Sequence, residues 1–254
     1  MENRITVFTC CNGIYKEFIP LFILSNLINI SDSFVEVGVD IDDVSELKII
    51  KFLEKKFPNR FTIRLVNFGS YDVGGQKLVP MPNLVRFITE PITKSKYVYI
   101  SDVDIITLDK NIVEQHEKNI LLNCLPYSNI VRDYTESQKH KRLTGLHFSR
   151  FDSYYPIKNY ENICKMGLFS HDEMFLYQLM YERHGKPDEK SKWRPVHGIH
   201  VSPNRKPDGE INWGMERWEN QWKKFRNMDI FIEIEPLFSD YLKDKIEIID
   251  NFYK

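Results

Sequence analysis

The sequence predicts an α/β domain whose central sheet is mostly parallel and is flanked by helices. In the first part of the chain, short apolar runs rich in β-branched residues alternate with stretches whose apolar residues recur at helical spacing. No segment rich in Pro, Gly or Ser divides the 254 residues. A chain of this length buries roughly 70–75% of the surface that its unfolded form exposes. We therefore expect a single domain over residues 1–254.

The first half of the chain predicts four strands joined by helices. Each strand is a short apolar run, and each helix has apolar residues three or four positions apart. The predicted strands are Ile5–Thr9, Phe34–Val39, Phe61–Val66 and Tyr97–Ser101. The predicted helices are Tyr15–Ile30, Val44–Phe57 and a helical stretch that starts at Asn83–Ile88. Strands that alternate with helices in this order form parallel sheets with helices on both faces.

The second half is less regular. Leu121–Leu125 and Gly145–Ser149 have the apolar character of strands, and His171–His184 is predicted to be a helix. A loop rich in Pro, Trp, His, Lys and Arg follows from Lys186 to Asp208. Ligands of open α/β sheets bind beyond the carboxyl ends of the strands. Functional residues are therefore expected in the segments that follow the strands.

Charge and composition exclude several classes of protein. The chain has 35 Lys and Arg against 36 Asp and Glu, a net charge of −1. This argues against non-specific nucleic-acid binding, because such binding needs a strong basic excess. Aromatic residues make up 13% of the chain, which is unlike a disordered composition. The most apolar stretch, Phe18–Ile30, contains Pro20 and is too short to span a membrane.

The sequence predicts a cytoplasmic protein. Met1–Thr9 lacks the positive start and apolar core of a secretory signal. Cys10, Cys11, Cys124 and Cys164 have neither a metal-binding spacing nor the density of a disulfide framework. We therefore expect four reduced thiols.

One further helix is predicted around Trp218 and Trp222, which lie four positions apart. This spacing favours a stripe that packs on the core or on a partner. Lys223, Lys224 and Arg226 lie beside the stripe, so peripheral contact with an anionic membrane surface is the alternative.

Two carboxylates directly follow the fourth predicted strand. Asp102 and Asp104 lie at positions i and i+2 after Tyr97–Ser101, so both project to one side of the chain. Two adjacent acids repel each other unless a cation or a proton lies between them. Mg²⁺ and Mn²⁺ prefer oxygen ligands and often complete their shell with substrate phosphates. The pair therefore indicates a divalent metal site, and the alternative is that the two Asp cap the following turn.

This segment resembles the DxD motif of the GT-A glycosyltransferases, in which two Asp hold a metal on the diphosphate of a nucleotide sugar. Further segments match the order of the GT-A core over roughly residues 4–205. Gly145 lies in Leu143–Phe148, placed like the glycine-containing loop beside the sugar donor. Ser170–Glu173 opens a predicted helix at the acidic position of the pattern. There Asp172 would hold the donor sugar and Glu173 would face the reacting centre, as in the retaining α-1,3-galactosyl and blood-group transferases. Glu173 would be the nucleophile or an electrostatic stabiliser in a retaining enzyme, or the general base in an inverting one.

The resemblance also implies a histidine as the third metal ligand, as in glycogenin and the lipopolysaccharide galactosyltransferases. The candidates are His197 and His200. On a strand these two side chains would point to opposite faces, so at most one reaches the metal. Gly198 follows His197 and favours it over His200. A histidine ligand suits Mn²⁺ better than Mg²⁺.

The remaining expectations concern the nucleotide. Residues 1–104 would form the nucleotide-binding half and residues 105–254 the acceptor-side half. In the GT-A pattern the loop after the first strand holds the base and ribose, a helical Arg contacts the diphosphate or the donor-side carboxylates, and a basic loop neutralises the leaving group. The residues assigned to these contacts, with Asp102 and Gly145, are Thr9, Asn12, Tyr15, Arg86, Val103 and Arg205.

The predicted activity is transfer of a hexose from a nucleotide sugar, with UDP expected as the nucleotide, to a hydroxyl of a glycan or a lipid-linked glycan, with Mn²⁺ or Mg²⁺. One alternative is a phosphatase of the haloacid-dehalogenase type, which also has DxD after an apolar strand. That motif usually continues to Thr or Val at the position of Ile106 and lies close to the start of its domain. The other alternative is a non-catalytic carbohydrate-binding protein on a transferase fold.

Overall fold

The computed structural model describes residues 4–132, 141–157, 160–187, 197–202 and 217–254. Its strands, numbered along the chain, are short apart from the first two. They are β1 (Ile5–Cys11), β2 (Ser33–Val39), β3 (Phe61–Leu65), β4 (Tyr71–Val73), β5 (Gln76–Leu78), β6 (Tyr97–Ile100), β7 (Ile105–Thr107), β8 (Tyr127–Ser128), β9 (Val131–Arg132), β10 (Arg142–Leu143), β11 (His147–Arg150) and β12 (Gly198–His200).

The described helices range from 4 to 13 residues in length. They are α1 (Ile19–Asn29), α2 (Lys48–Lys56), α3 (Val85–Ile88), α4 (Ile112–Asn123), α5 (Phe151–Tyr154), α6 (Glu161–Lys165), α7 (Asp172–His184), α8 (Glu219–Arg226), α9 (Asp229–Ile234) and α10 (Asp240–Phe252).

The central sheet has six strands in the order β3-β2-β1-β6-β11-β8. The first four strands run parallel to one another, whereas β11 is antiparallel to both of its neighbours. The predicted α/β fold with a mostly parallel sheet is therefore confirmed. Three two-stranded ribbons lie outside this sheet, and one of them pairs β7 with β12.

Both faces of the sheet are covered, because alternate residues of each strand point to opposite sides. Val7 and Tyr99 belong to a cluster that includes apolar residues of α1, α2 and the C-terminal helices. Phe8 and Ile100 belong to a second cluster with residues of α3, α5 and α7. The carboxyl ends of β1 and β6 lie side by side between these two layers.

The four strands predicted in the first half differ from β1, β2, β3 and β6 by at most two residues at either end. The first predicted helix is confirmed from Ile19 onward, and Gly13–Phe18 forms a 3-10 turn before it. Pro20 explains the boundary, because proline is well tolerated in the first turn of a helix and lacks an N–H.

The strand predicted at Leu121–Leu125 is wrong. These residues are the end of α4 and its cap, where Cys124 adopts a left-handed backbone conformation. The buried face of α4 consists of Ile112, Val113, His116 and Ile120. Leu121 is 70% exposed, so the apolar run that suggests a strand lies partly at the surface. A short apolar run alone does not distinguish a strand from a helix end.

The predicted helix with Trp222 is α8, and its tryptophan belongs to the core. Trp222 is 1% exposed, and its Nε1 donates to Asp250 Oδ1 at 2.8 Å. Arg226 on the same helix pairs with Glu235 and Asp250. Within the described ranges, every helix is too short or too polar to cross a membrane.

Candidate active site

A cavity of about 230 Å³ lies at the carboxyl ends of β1 and β6, where open α/β sheets bind ligands. It gathers residues from six separate stretches of the chain. Its lining consists of Cys10, Cys11, Asn12, Tyr15, Pro82, Asn83, Arg86, Asp102, Val103, Asp104, Gly145, Asp172, Glu173, His200 and Ser202. Most of the residues predicted for the site therefore meet in one place.

Asp102, Asp104 and His200 form a cluster with the composition of a metal site. Their candidate ligand atoms all lie within 4.8 Å of one another. His200 Nε2 is 3.1 Å from Asp104 Oδ2, and Asp104 is 4% exposed. Two carboxylates and an imidazole are a donor set that fits Mn²⁺ and is less suited to Mg²⁺. The residues present thus fit a divalent cation.

His197 does not join this cluster, which corrects the preference for it over His200. His197 is 2% exposed and points into the core, where its ring nitrogens contact Asp109 and His116. The two histidines lie at either end of a short extended segment, so their side chains leave it in opposite directions. Gly198 packs against the backbone of β7: a Cβ there would be 1.8 Å from Ile106 O.

Arg86 links the acid pair to the start of α7. Its Nη1 is 2.7 Å from Asp102 Oδ1, and its Nη2 is 3.4 Å from Asp172 Oδ2. Arg86 is 5% exposed. Burial acts to lower the pKa of Arg86, but Asp102, Asp172 and the other carboxylates raise it overall. The guanidinium therefore stays charged and holds two acids from different elements.

Gly145 lets the chain pass close to Arg86. A Cβ at this position would lie 2.7 Å from Arg86 Nη2 and 3.6 Å from both carboxylate oxygens of Asp102. The close approach is possible only without a side chain. The predicted glycine-containing loop therefore packs directly on the charged cluster.

Glu173 lies beside Asp172 in the first turn of α7. Its Oε2 accepts a hydrogen bond from Arg142 Nη1 at 2.6 Å, and its Oε1 accepts one from Gly145 N at 3.0 Å. Both oxygens are thus engaged by groups of the loop around Gly145. Carboxylates in this position are also favoured by the free amides and dipole of the helix N-terminus.

Only some of the residues predicted to bind the nucleotide line the cavity. Asn12, Tyr15 and Val103 line the cavity. Thr9 does not: it is fully buried within β1, which corrects its assignment as a binding residue. The cavity lies at the carboxyl end of β1, so only the last residues of this strand and the following loop reach it. Arg205 lies outside the described residues.

Several residues at the site have no recognisable signal in the sequence. Cys10 and Cys11 reach the cavity at the end of β1, and burial raises the pKa of the Cys10 thiol to about 12 and that of Cys11 well above its usual range. Both thiols therefore stay protonated near neutral pH and are poor nucleophiles. Arg142 was also missed, because its partner Glu173 is 31 positions away and no local motif connects them.

No protein-family model matches the chain, and no curated protein matches it by sequence. The fold, in contrast, is similar to solved structures. The apo form of the glycosyltransferase GlyE from Streptococcus pneumoniae TIGR4 matches with a TM-score of 0.55 and 11% sequence identity, over 97% of this chain and 64% of GlyE. The galactosyltransferase LgtC, in complex with donor and acceptor sugar analogues, matches with a TM-score of 0.49 and 15% identity, over 94% of this chain and 99% of LgtC.

This chain thus spans 64% of the length of GlyE. At such low identity the likeness concerns the fold, and it agrees with the resemblance that the sequence motifs carry. The chain has the GT-A-like fold of a glycosyltransferase.

Proposed function

We propose that the protein is a metal-dependent glycosyltransferase that moves a hexose from a nucleotide sugar, UDP-linked, to a hydroxyl of a glycan or a lipid-linked glycan. The observation that carries this proposal is the convergence of Asp102, Asp104 and His200 with Arg86 and Asp172 in one cavity of a glycosyltransferase fold. A phosphatase of the haloacid-dehalogenase type usually has its DxD close to the start of its domain, whereas Asp102 and Asp104 here follow β6.

The nucleotide is assigned to the side of the cavity formed by the loop after β1. Tyr15 offers an aromatic face for stacking on uracil, and the Asn12 amide offers both a donor and an acceptor for its edge. Residues 1–104 then form the nucleotide-binding half, and residues 105–254 supply the acceptor side.

The diphosphate is assigned to the metal cluster. Asp102, Asp104 and His200 would hold Mn²⁺ in preference to Mg²⁺. When bound, the cation supplies a Lewis acid that offsets the negative charge growing on the leaving nucleoside diphosphate. Arg86 contributes by keeping Asp102 and Asp172 in place, and its buried Nε has no hydrogen-bond partner among the described residues.

The two acids at the start of α7 are assigned to the sugar. Asp172 would accept hydrogen bonds from donor hydroxyls while Arg86 keeps it oriented. Glu173 would act as a fixed negative charge beside the reacting carbon, because both of its oxygens already accept hydrogen bonds from Arg142 and Gly145. This supports electrostatic stabilisation of a positively charged sugar in the transition state rather than a role as base.

A cytoplasmic location is part of the proposal. Cys10, Cys11, Cys124 and Cys164 are all free in the structure. Free thiols are typical of a reducing compartment. An acceptor attached to lipid would require contact with the cytoplasmic membrane surface.

The test is a thermal-shift screen of UDP, GDP, CMP and ADP, each with and without Mn²⁺. We expect stabilisation by UDP with Mn²⁺ alone among these. Ligand at 100 times its Kd stabilises by about 2.7 kcal/mol, which corresponds to a Tm rise of roughly 5–10 °C for a chain of this size. The Asp104→Asn variant is the matched control and should lose the Mn²⁺-dependent part. No shift with any nucleotide would refute the proposal and favour the phosphatase or the carbohydrate-binding alternative.

A further inference from the structure

A chain of buried polar side chains lies on the core side of the segment that carries His200. His197 Nδ1 is 3.0 Å from Asp109 Oδ2, and His197 Nε2 is 2.8 Å from His116 Nε2. His116 Nδ1 is in turn 2.8 Å from Ser128 Oγ. Asp109 is 8% exposed, and the other three residues are at most 2% exposed. These four residues, Asp109, His197, His116 and Ser128, are called the histidine chain below.

Donors and acceptors in the histidine chain follow one direction when they are assigned from the network. Ser128 Oγ accepts from Asn119 Nδ2 at 2.8 Å and lies 2.8 Å from His116 Nδ1, to which its hydroxyl can still donate. Burial lowers the pKa of His116 well below its usual range, and His197 lowers it further, so the ring is neutral. The Asp109 carboxylate can only accept, so the N–H of a neutral His197 ring lies on Nδ1 and His197 Nε2 is an acceptor. The single N–H of His116 then lies on Nε2 and points to His197 Nε2, and the Ser128 hydroxyl donates to His116 Nδ1. His197 Nδ1–H then donates to the Asp109 carboxylate.

Asp109 is a fixed end of the histidine chain. It accepts hydrogen bonds from Asn111 N and from Gln115 Nε2, both at 2.8 Å. Burial acts to raise the pKa of Asp109, but the hydrogen bonds from His197 and Asn111 lower it overall. At neutral pH a charged carboxylate therefore anchors the His197 ring. The other ring of the pair is fixed as well, since His116 stacks on Phe148 with centroids 4.4 Å apart.

The backbone of His197 belongs to the same anchor. Leu108 N and Asp109 N donate to His197 O at 2.8 and 3.0 Å. From there β12 runs antiparallel to β7, and His200 lies opposite Ile105. A ring that is hydrogen-bonded on both nitrogens cannot slide along the strand. The histidine chain thus fixes the start of β12.

The far end of β12 meets the acid pair directly. Val201 N donates to Asp104 O at 2.8 Å, and His200 Nε2 lies 3.1 Å from Asp104 Oδ2. Asp102 and Asp104 precede β7, which pairs with β12 along its whole length. The register of this three-residue strand therefore sets the distance from His200 to both carboxylates.

We propose that His197 is a positioning residue for the metal site: through Asp109 and His116 it holds β12 in the register that places His200 beside Asp102 and Asp104. This inference rests on the proposed function, because it assumes that these three residues bind a divalent cation. The histidine chain acts through the backbone. None of its four residues lines the cavity, so it does not deliver a proton to the reacting groups.

The experiment measures binding of Mn²⁺ alone, by the loss of the free Mn²⁺ signal in electron paramagnetic resonance. His197→Leu removes both hydrogen bonds of the ring and keeps an apolar side chain in the core. Partners that orient metal ligands typically contribute 10–100-fold to metal affinity, and we expect about a tenfold rise in the Kd for Mn²⁺. His197→Asn retains a donor near the position of Nδ1 and should fall between wild type and His197→Leu.

Two reference variants help to interpret the change in the Kd for Mn²⁺. Asp104→Asn removes a proposed ligand and should weaken Mn²⁺ binding more than His197→Leu does. Thr6→Val removes a buried hydrogen bond at the other end of the sheet, where Thr6 Oγ1 donates to Thr93 O at 2.9 Å. It should lower the Tm and leave the Kd for Mn²⁺ unchanged, which is the behaviour of a purely structural residue.

The outcomes separate the two proposals. If Asp104→Asn weakens Mn²⁺ binding and neither His197 variant does, the positioning role is wrong and the metal site stands. If Asp104→Asn has no effect, the proposed metal site itself is wrong. If His197→Leu does not fold, His197→Asn decides: an unchanged Kd for Mn²⁺ overturns the inference, and a rise in Kd supports it.

Discussion

Two regions of the molecule contain an arginine held between two carboxylates. In the cavity, Arg86 lies 2.7 Å from Asp102 and 3.4 Å from Asp172. Near the C-terminus, Arg226 lies 2.8 Å from Glu235 and 3.0 Å from Asp250. In both cases the carboxylates raise the pKa of the arginine against the effect of burial. A comparison of the two clusters therefore distinguishes the contribution of such an arrangement to stability from its contribution to ligand binding.

In the C-terminal cluster, the charged groups pair with one another. Asp250 of α10 accepts from Trp222 Nε1 and from Arg226 Nε and Nη2, which joins α8 to α10. Arg226 also packs on the Phe231 ring, 4.5 Å from its centroid. All of these partners belong to the C-terminal helices and the turn between them, so this cluster acts as a structural tie.

The cavity cluster is not balanced in this way. Among the residues that the structure describes, Asp102, Asp104, Asp172 and Glu173 face two arginines, Arg86 and Arg142. Carboxylates at short range repel one another, and a divalent cation bound between them would relieve the repulsion. The comparison shows that charge saturated within the chain stabilises the fold, whereas an excess of one sign around a cavity is available for a ligand.

The largest effect is expected for Asp104→Asn. This change removes a proposed metal ligand, and we expect turnover to fall by about 10³-fold, which corresponds to about 4 kcal/mol of transition-state stabilisation. The Tm should stay the same or rise, because one of several repelling carboxylates is gone. Measurements are initial rates of hexose transfer with Mn²⁺, and the Tm without metal.

The matched control is Asp250→Asn in the C-terminal cluster. It should lower the Tm and leave turnover per folded molecule intact. The distinction between a binding cluster and a stabilising cluster would be wrong if both variants lost turnover. It would also be wrong if Asp104→Asn lowered the Tm as much as Asp250→Asn does.

Glu173→Gln is expected to have the next largest effect. The amide preserves the shape and an acceptor for Gly145 N, but it removes the charge that Arg142 holds. We expect kcat to fall by about 10²-fold, or about 2.7 kcal/mol, with the KM for the donor nearly unchanged. Steady-state kinetics with varied donor check this. A rise in KM at constant kcat would instead make Glu173 a binding residue.

Mild acid should lower stability through histidines that belong to neither cluster. Burial lowers the pKa of His147 to about 3 and that of His116 well below its usual range. The unfolded chain binds protons at these sites near pH 6.5 and the folded protein does not, so stability is full above that pH and falls below it. At pH 5.5 the loss is about 1.4 kcal/mol for each histidine. Thermal melts at pH 7.5 and 5.5 measure it.

The control for this pH effect is Arg226→Gln, which should show the same loss between pH 7.5 and 5.5 as the wild type. His147→Gln should lose about half as much as the wild type, whatever its own Tm at pH 7.5. A Tm that does not change between the two pH values would contradict the prediction.

The sequence predicts an element correctly where its local run of apolar residues is also buried in the fold. Strands such as β1 and β6 are buried along their whole length and are followed by polar residues, so their extent to within two residues and the position of Asp102 follow from the sequence. The run Leu121–Leu125 has the same local appearance, yet two of its leucines lie at the surface on the end of a helix. Burial there depends on packing, which a short window does not contain.

The same holds for the residues of the site: those with a local signal in the sequence could be predicted, and the others could not. The acids at Asp102, Asp104 and Asp172 are recognisable because each follows or starts a regular element. His197 and His200 are the same residue type three positions apart, and only the pairing of β12 with β7 decides which one faces the acids. Arg142 has no local signal at all, since its role arises from the fold that brings it to Glu173.

Arg226→Gln is expected to have the smallest effect. It tests whether the C-terminal cluster contributes only to stability. The side chain of Arg226 is 20% exposed and its carboxylate partners are 29% and 36% exposed, so solvent screens the cluster. We expect a loss of about 1–2 kcal/mol, or roughly 3–6 °C in Tm, with turnover and Mn²⁺ affinity unchanged. The matched change Arg86→Gln differs in its effect on binding. It should weaken donor and Mn²⁺ binding, and it should also lower the Tm, because it leaves Asp102 and Asp172 without the buried cation between them. If Arg226→Gln also weakened Mn²⁺ binding, the C-terminal cluster would be coupled to the cavity and could not be a purely structural tie.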